Sequence, residues 1–230
     1  MQRKDDTMNK PYLICHMMTS MDGRIDCPMT EQLPGVEHYY ETLDELEALT
    51  HISGRYTAEL EMASGIFKAE THTPYGKEGF LQAVKAQGYD IVIDTKGTLL
   101  WGDDKGAETP HLIITSEDVS QEYLHYLDSC HISWIACGKG HEGLARSMEI
   151  LHDAFGVTRA AVVGGPIINT AFLTAGLLDE ISLLIGSGID GRGGMQAVFD
   201  GRGKEERVIP MHLASVTQRG DAVWIRYHKK

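Results

Sequence analysis

The sequence lacks several features that would point to particular classes of protein. Its four cysteines, at positions 15, 27, 130 and 137, include no CxxC pair. A chain of 230 residues can bury a sizeable core without disulfides, so we interpret them as reduced thiols of a cytoplasmic protein. Residues 130–137 match no strong zinc pattern and look like a single strand, and we expect no metal site.

Long apolar runs and a surplus of basic residues are absent as well. The apolar run at 12–18 is far too short to cross a membrane. We expect no signal peptide, and a disordered tail over residues 1–9. The formal charge of −12 argues against a nucleic-acid backbone or an anionic membrane as the main partner. A small-molecule ligand held by a few local basic groups is compatible with this composition.

The stretch from 160 to 173 predicts a strand, a glycine turn and a helix. The short apolar run at 160–163 is typical of a strand that is covered on both faces. Gly164 and Gly165 permit positive φ and close approach of another molecule, and Pro166 suits the first position of a helix. Bare amides at such a helix start can hold an anion, although a tight turn without a ligand fits the pattern equally well.

Other polar turns follow predicted strands. They are 19–26, which contains Thr19 and Asp22; 54–57, where Gly54, Arg55 and Thr57 open a helix; and 95–98, which begins with Thr95. Arginine offers phosphate a planar fork of donors, and threonine offers a hydroxyl. Loops at the carboxyl ends of parallel strands share one rim, where α/β proteins bind ligands. A solvated arginine and plain turns are the simpler alternatives.

Periodicity outlines the rest of the chain. Helices are predicted at 36–50, 119–127, 142–155 and 166–175, and strands at 11–18, 51–53, 89–94, 111–115, 131–136, 160–163, 177–185, 206–217 and 222–228. Residues 64–88 are expected to be irregular, and the glycine-rich residues 186–203 to form a flexible or ligand-hugging loop. The alternation predicts a three-layer α/β fold with a mostly parallel mixed sheet and a C-terminal antiparallel hairpin, in one domain of residues 10–230.

Three of these segments, in this order and spacing, resemble a known family. Residues 19–25, 54–57 and 163–180 are similar to the reductase domain of the bifunctional riboflavin-pathway deaminase–reductase, in the dihydrofolate-reductase-like superfamily. The resemblance covers roughly residues 10–228 and includes no zinc-deaminase half. It implies a dihydrofolate-reductase-like fold, a homodimer formed through sheet edges, and NADPH as the cofactor. No GxGxxG follows the first strand, so a standard Rossmann site is not supported.

Carried over by position, the resemblance implies a set of cofactor-binding residues. Arg55 and Thr57 would hold phosphates, with Arg55 a candidate for the 2′-phosphate, and Thr95 would lie on the adenosine side. Thr19 would lie near the nicotinamide, and the glycine turn would carry the diphosphate. The full set is Thr19, Gly54, Arg55, Thr57, Thr95, Gly164, Gly165, Pro166, Ile167, Ile168, Asn169 and Thr170.

Two departures from the family pattern concern the substrate. Val163 stands where the riboflavin enzyme has a glutamate that faces substrate, and residues 59–64 do not match its phosphate-gripping segment. We predict hydride transfer from NADPH to a C=N or C=O carbon of a small heterocycle, such as a pyrimidine of the riboflavin pathway. Glu61 is the first candidate for proton handling or substrate orientation. Asp22 is the second, although it is better suited to bracing its loop.

Two other functions are compatible with the same residues. One is an NADPH-binding sensor without turnover, which the two departures favour. The other is a dihydrofolate-type pterin reductase, which would need a carboxylate of the first long helix in the pocket; Glu37 or Glu41 would serve.

Overall fold

The computed structural model of the protein describes residues 9–138 and 140–230, without the side chains of residues 140 and 141. The expected tail over residues 1–9 therefore lies, except for Asn9, outside the described residues. A ten-stranded mixed sheet forms the centre of the described part, and a two-stranded ladder lies apart from it.

Nine of the strands overlap the predicted apolar runs, whereas two short ones lie in residues 64–88, which were expected to be irregular, and one at residues 99–100 was not predicted. In chain order they are β1 (Tyr12–Thr19), β2 (His51–Gly54), β3 (Gly65–Ile66), β4 (Gly79–Leu81), β5 (Asp90–Ile93), β6 (Leu99–Leu100), β7 (His111–Thr115), β8 (Ser133–Ala136), β9 (Arg159–Gly164), β10 (Glu180–Ile185), β11 (Met211–Arg219) and β12 (Ala222–Lys229). The main sheet has the order β11-β12-β10-β1-β9-β2-β5-β7-β8-β4, and β3 pairs with β6. Strands from β10 to β8 are parallel, whereas β4, β11 and β12 pair antiparallel with their neighbours.

Six helices connect these strands in the part of the chain that the structure describes. They are α1 (Cys27–Thr30), α2 (His38–Asp44), α3 (Arg55–Glu61), α4 (Gln121–Ser129), α5 (Gly140–Asp153) and α6 (Pro166–Thr174). Helix α4 begins after Ser120, whose hydroxyl accepts a hydrogen bond from the Tyr123 amide at 3.1 Å. Helix α6 ends before Gly176, which has a φ of +68° and so takes the left-handed conformation that stops helices. None of the helices in these described ranges combines the length and apolarity needed to span a bilayer.

The sheet separates two helical layers. On β1, Leu13 and Cys15 pack in the cluster that contains α5 and α6, whereas Ile14 and Met18 pack in the cluster that contains α1 and α2. Farther along the sheet, α3 and α4 cover the second face. Because successive strand residues point to opposite faces, strands buried on both sides are apolar throughout. The predicted three-layer α/β fold with a C-terminal antiparallel hairpin is confirmed.

The predicted helix over residues 36–50 is shorter in the structure. Helix α2 ends at Asp44, and Glu47 takes a left-handed conformation with a φ of 52°. The chain must then run close to Gly88, where an added Cβ would lie 2.0 Å from the Leu49 carbonyl oxygen. This close backbone approach, which leads the chain into β2, overrides the helical spacing of the apolar residues.

Three predicted strands also begin later than expected, and one of them is the strand placed at 177–185, which begins at Glu180. The strand placed at 206–217 begins at Met211, because Gly203 and Glu206 close a local turn and Pro210 cannot donate a backbone hydrogen bond. Residues 130–137 are not a single strand. The Cys130 amide instead completes the end of α4, His131 has a φ of 53°, and β8 begins only at Ser133.

Candidate functional site

The glycine turns after β2 and β9 meet at the carboxyl-end rim of the sheet. An added Cβ at Gly54 would lie 2.6 Å from Cγ1 of Ile168, so the start of α3 packs directly on the first turn of α6. An added Cβ at Gly165 would lie 3.7 Å from Oγ1 of Thr57, which places that hydroxyl against the glycine pair. The structure thus brings together two of the turns that the sequence singled out.

The N-terminus of α6 has no side-chain cap. Gly165 is the N-cap residue, with φ −89° and ψ −170°, and Pro166 occupies the first helical turn. The Asn169 amide bonds to the Gly165 carbonyl at 3.0 Å, so the earlier amides of Ile167 and Ile168 have no carbonyl within the helix to bind. Gly164 has a φ of +137° and is joined to Gly165 by a cis peptide bond. The positive end of the helix and its bare amides favour an anion here.

A cavity of about 580 Å³ opens beside this helix start. Thr95 and Lys96 after β5, and Ser116 after β7, line it. Ile168 and Ala171 of α6 and several residues of α5 line it as well. Its complete lining is His72, Ile93, Thr95, Lys96, Ile114, Thr115, Ser116, Asp118, Cys137, Gly138, Gly143, Leu144, Ser147, Ile168 and Ala171.

Thr57 and Arg55, at the start of α3, differ in whether their polar groups already have partners. Within the described ranges the Thr57 hydroxyl has no hydrogen-bond partner, and it faces the glycine pair. Arg55 is half exposed and pairs with Glu59 on the next turn of α3, at 2.6 Å between Nη1 and Oε2. Its guanidinium does not line the cavity, so it would have to leave Glu59 to reach a phosphate there.

Asn169 and Thr170 hold the glycine-rich loop rather than an open site. Nδ2 of Asn169 donates to the Val198 carbonyl at 2.9 Å, and the Asp200 amide donates to Oγ1 of Thr170 at 2.8 Å. Both side chains are buried. Both side chains thus bind the loop in this structure, while Oδ1 of Asn169 is buried with no hydrogen-bond partner among the described residues.

Asp22 fastens the loop after β1 to the same glycine-rich loop. Its carboxylate accepts hydrogen bonds from the Ser20 hydroxyl at 2.6 Å and from the amides of Asp190 and Gly191 at 3.0 Å each. These hydrogen bonds lower the pKa of Asp22 to about 2, and the bond from Ser20 has the largest effect. Thr19, the last residue of β1, is buried and its hydroxyl donates to the Ser20 carbonyl at 2.7 Å. Asp22 therefore braces the loop as an ionised group and is poorly suited to proton transfer.

Glu61 lies at the end of α3 and contacts a residue that sequence reasoning missed. Its Oε1 is 3.3 Å from Sγ of Cys27, the first residue of α1. Partial burial of the sulfur and the hydrogen bond to Glu61 raise the pKa of Cys27 to about 11. The two residues are 34 positions apart, and no local pattern in the sequence links them.

Val163 lies in apolar surroundings. It is partly buried and packs on the cluster formed by Met18, Leu33 and Ala161. The position where the riboflavin enzyme was expected to present a carboxylate is thus apolar.

The described residues contain no group of three or more His, Cys, Asp or Glu side chains that could hold a metal ion.

Comparison with known proteins gives the family and the fold. The sequence-family model named RibD C-terminal domain matches residues 11–225 of this chain. A pyrimidine reductase-like protein of Corynebacterium diphtheriae is 17% identical, with a TM-score of 0.67 over 96% of this chain and 92% of that one. The riboflavin biosynthesis reductase of Saccharomyces cerevisiae is 14% identical, with a TM-score of 0.61 over 97% and 91%.

A longer relative has the same fold over part of its length. The diaminohydroxyphosphoribosylaminopyrimidine deaminase/5-amino-6-(5-phosphoribosylamino)uracil reductase of Thermotoga maritima is 14% identical, with a TM-score of 0.64. The match covers 97% of this chain but only 58% of that one. At these identities the structures establish a shared fold, whereas the family model spans nearly all of the sequence. The chain therefore belongs to the RibD C-terminal domain family.

Proposed function

We propose that this chain is an NADPH-dependent reductase that transfers a hydride to a small heterocyclic substrate, namely a pyrimidine of the riboflavin pathway. One observation carries the proposal: the uncapped start of α6 faces the free Thr57 hydroxyl, and the same helix lines the 580 Å³ cavity through Ile168 and Ala171. An anion-binding helix start beside a cavity at a strand-end rim suits a dinucleotide. The names of the T. maritima and S. cerevisiae relatives support the pathway.

The residues at the rim fit the parts of NADPH. The amides of Ile167 and Ile168, with the Thr57 hydroxyl, would hold the diphosphate, and Gly164 and Gly165 would let it approach the backbone. The cavity between Thr95 and α6 would take the adenosine. Arg55 would take the 2′-phosphate in exchange for Glu59. When bound, NADPH supplies the hydride.

Asp22, Glu61 and Val163 would form the part of the site that holds the substrate. Asp22, by joining the loop after β1 to residues 190 and 191, would fix the wall on which a substrate rests and keep water out. Glu61 would orient the substrate or hold the proton that the reduction requires. Val163 leaves an apolar surface in place of the family's glutamate, so the ring would be held there by packing.

We further propose the setting in which this enzyme works. Residues 10–230 would form a single domain, because β1 and β12 from the two ends of the described chain lie in one sheet. Reduced cysteines and an acidic surface suit a cytoplasmic enzyme of small-molecule substrates that binds no nucleic acid. The exposed terminal hairpin would form a homodimer.

NADPH oxidation tests the activity directly. The substrates are 5-amino-6-(5-phosphoribosylamino)uracil, the same compound without its phosphate, and a pterin. We expect oxidation with a pyrimidine and not with the pterin, since the chain belongs to the RibD C-terminal domain family. Oxidation with the pterin alone would indicate a dihydrofolate-type enzyme, and NADPH binding without oxidation of any substrate would indicate a sensor. Either result would overturn the proposal.

A further inference from the structure

The contact between Cys27 and Glu61 joins two elements that are distant in the sequence. Cys27 opens α1, which follows the loop braced by Asp22, and Glu61 closes α3. Both residues are exposed, and their sulfur and oxygen atoms are 3.3 Å apart. This is within the range of a thiol hydrogen bond. The contact therefore ties the loop after β1 to the helix whose first turn packs on α6.

The thiol is the donor in this contact. An ionised carboxylate can only accept, so the hydrogen must come from Cys27. The groups that face the sulfur are acidic: Glu61 from α3, and Asp26 and Glu31 from the two ends of α1. Like-signed neighbours disfavour a thiolate, which keeps the sulfur protonated near neutral pH. Arg192, which pairs with Asp26, is also paired with Asp190.

Only one oxygen of Glu61 is engaged. Oε1 accepts from Cys27, while Oε2 has no hydrogen-bond partner within residues 9–138 and 140–230. Glu61 also has no salt bridge to a cation in these ranges. A carboxylate with one oxygen engaged and the other without a partner is a ready acceptor for an N–H group. The acidic surroundings would repel a phosphate placed at the same point.

We propose that Cys27 is a positioning residue for Glu61, holding Oε1 so that Oε2 accepts an N–H donor of a neutral or cationic amino-substituted heterocycle. This inference rests on the proposed reductase function for the identity of the ligand. The thiol–carboxylate contact itself stands on the geometry alone, so the two ideas can fail separately.

Alkylation of Cys27 tests the contact without any activity. Iodoacetamide labelling is followed by mass spectrometry at about pH 8 in the wild type and in Glu61→Gln. Because only the thiolate reacts, loss of the carboxylate should speed labelling of Cys27 by about threefold or more. Cys130, also in part accessible, is the internal control and should label at the same rate in both proteins. An unchanged Cys27 rate would overturn the contact.

Steady-state kinetics tests the positioning role, with the pyrimidine that the wild type reduces. Cys27→Ala should raise KM for the pyrimidine about fivefold, the usual size of one lost hydrogen bond, with kcat changed less. Cys27→Ser keeps a donor and should restore KM, whereas NADPH affinity should be the same in all three proteins. Equal KM in Cys27→Ala, or equal loss in Cys27→Ser, would contradict the role. Absence of NADPH binding in the wild type would instead defeat the reductase proposal and leave the alkylation result valid.

Discussion

At the scale of single residues, His16 illustrates how burial fixes a protonation state. Its ring is fully buried on β1, with Nδ1 at 2.9 Å from the Ser182 hydroxyl and Nε2 at 3.4 Å from the Tyr39 carbonyl. Because Trp224 already donates to the Ser182 oxygen at 2.7 Å, Ser182 can donate to Nδ1. Nε2 then carries the hydrogen and donates to Tyr39. A neutral ring can therefore make both hydrogen bonds, to Ser182 and to Tyr39.

Acid should weaken the fold through His16. Burial lowers the pKa of His16 to about 4, against 6.5 when exposed, so the unfolded chain binds a proton first as pH falls. Between about pH 6.5 and pH 4 this costs at most about 3 kcal/mol of unfolding free energy, and above this window the term vanishes.

Urea unfolding at several pH values measures this loss. His16→Gln should show a flatter dependence in that window, whereas His125→Gln, at an exposed position on α4, should keep the wild-type slope. Identical slopes in wild type and His16→Gln would mean that another group controls acid unfolding.

At the scale of elements, the pairing of two loops defines the substrate side. The 19–26 loop and the 186–203 loop share the Asp22 bonds, and the Met21 amide donates to the Gly188 carbonyl at 2.7 Å. Gly188 also packs on α1's neighbour Leu33, since an added Cβ would lie 2.6 Å from Cδ2 of that side chain. The two loops therefore behave as one unit.

Removing the Asp22 carboxylate should loosen the 186–203 loop. Asp22→Ala leaves the amides of Asp190 and Gly191 without an acceptor, so trypsin should cleave after Arg192 faster than in the wild type. Cleavage after Arg207, which lies beyond the braced part, should not change. Asp44→Ala, at an exposed position on α2, is the matched control. An unchanged rate at Arg192 would show that other contacts hold the loop.

Sequence periodicity predicted most strands and helices because they are short apolar runs or one-sided patterns. It could not show that α2 ends at Asp44, since the cause is a contact with Gly88, far along the chain. It could not show what holds the 186–203 loop, because glycine-rich segments have no periodicity. The Cys27–Glu61 contact could not be predicted either, because α1 and α3 come together only when the chain folds. The glycine turn and Thr57 were predictable because local backbone chemistry marks them.

At the scale of the whole molecule, the terminal hairpin leaves the sheet with an open, partly apolar edge. β11 is the last strand, and Leu213 and Val216 on it are each 58% exposed. An open edge with apolar side chains is unfavourable in a monomer and is commonly covered by another chain. This supports the proposed homodimer.

Light scattering tests the association of two copies. The wild type should have the mass of a dimer, and Val216→Glu should shift it to a monomer by placing a charge on the covered edge. Val208→Glu, at a more exposed apolar residue outside the strand, is the control and should stay dimeric. A wild type that is monomeric at micromolar concentration would contradict the proposal.

The most direct test of the account is calorimetric titration with NADPH. The wild type should bind it saturably, and Thr57→Val should weaken binding about tenfold, because it removes a hydroxyl beside the bare amides of α6 and keeps the shape. Thr158→Val, just before β9 at the opposite end of that strand from the glycine turn, should bind like the wild type. No binding by the wild type, or equal binding by Thr57→Val, would contradict the claim that this rim is the cofactor site.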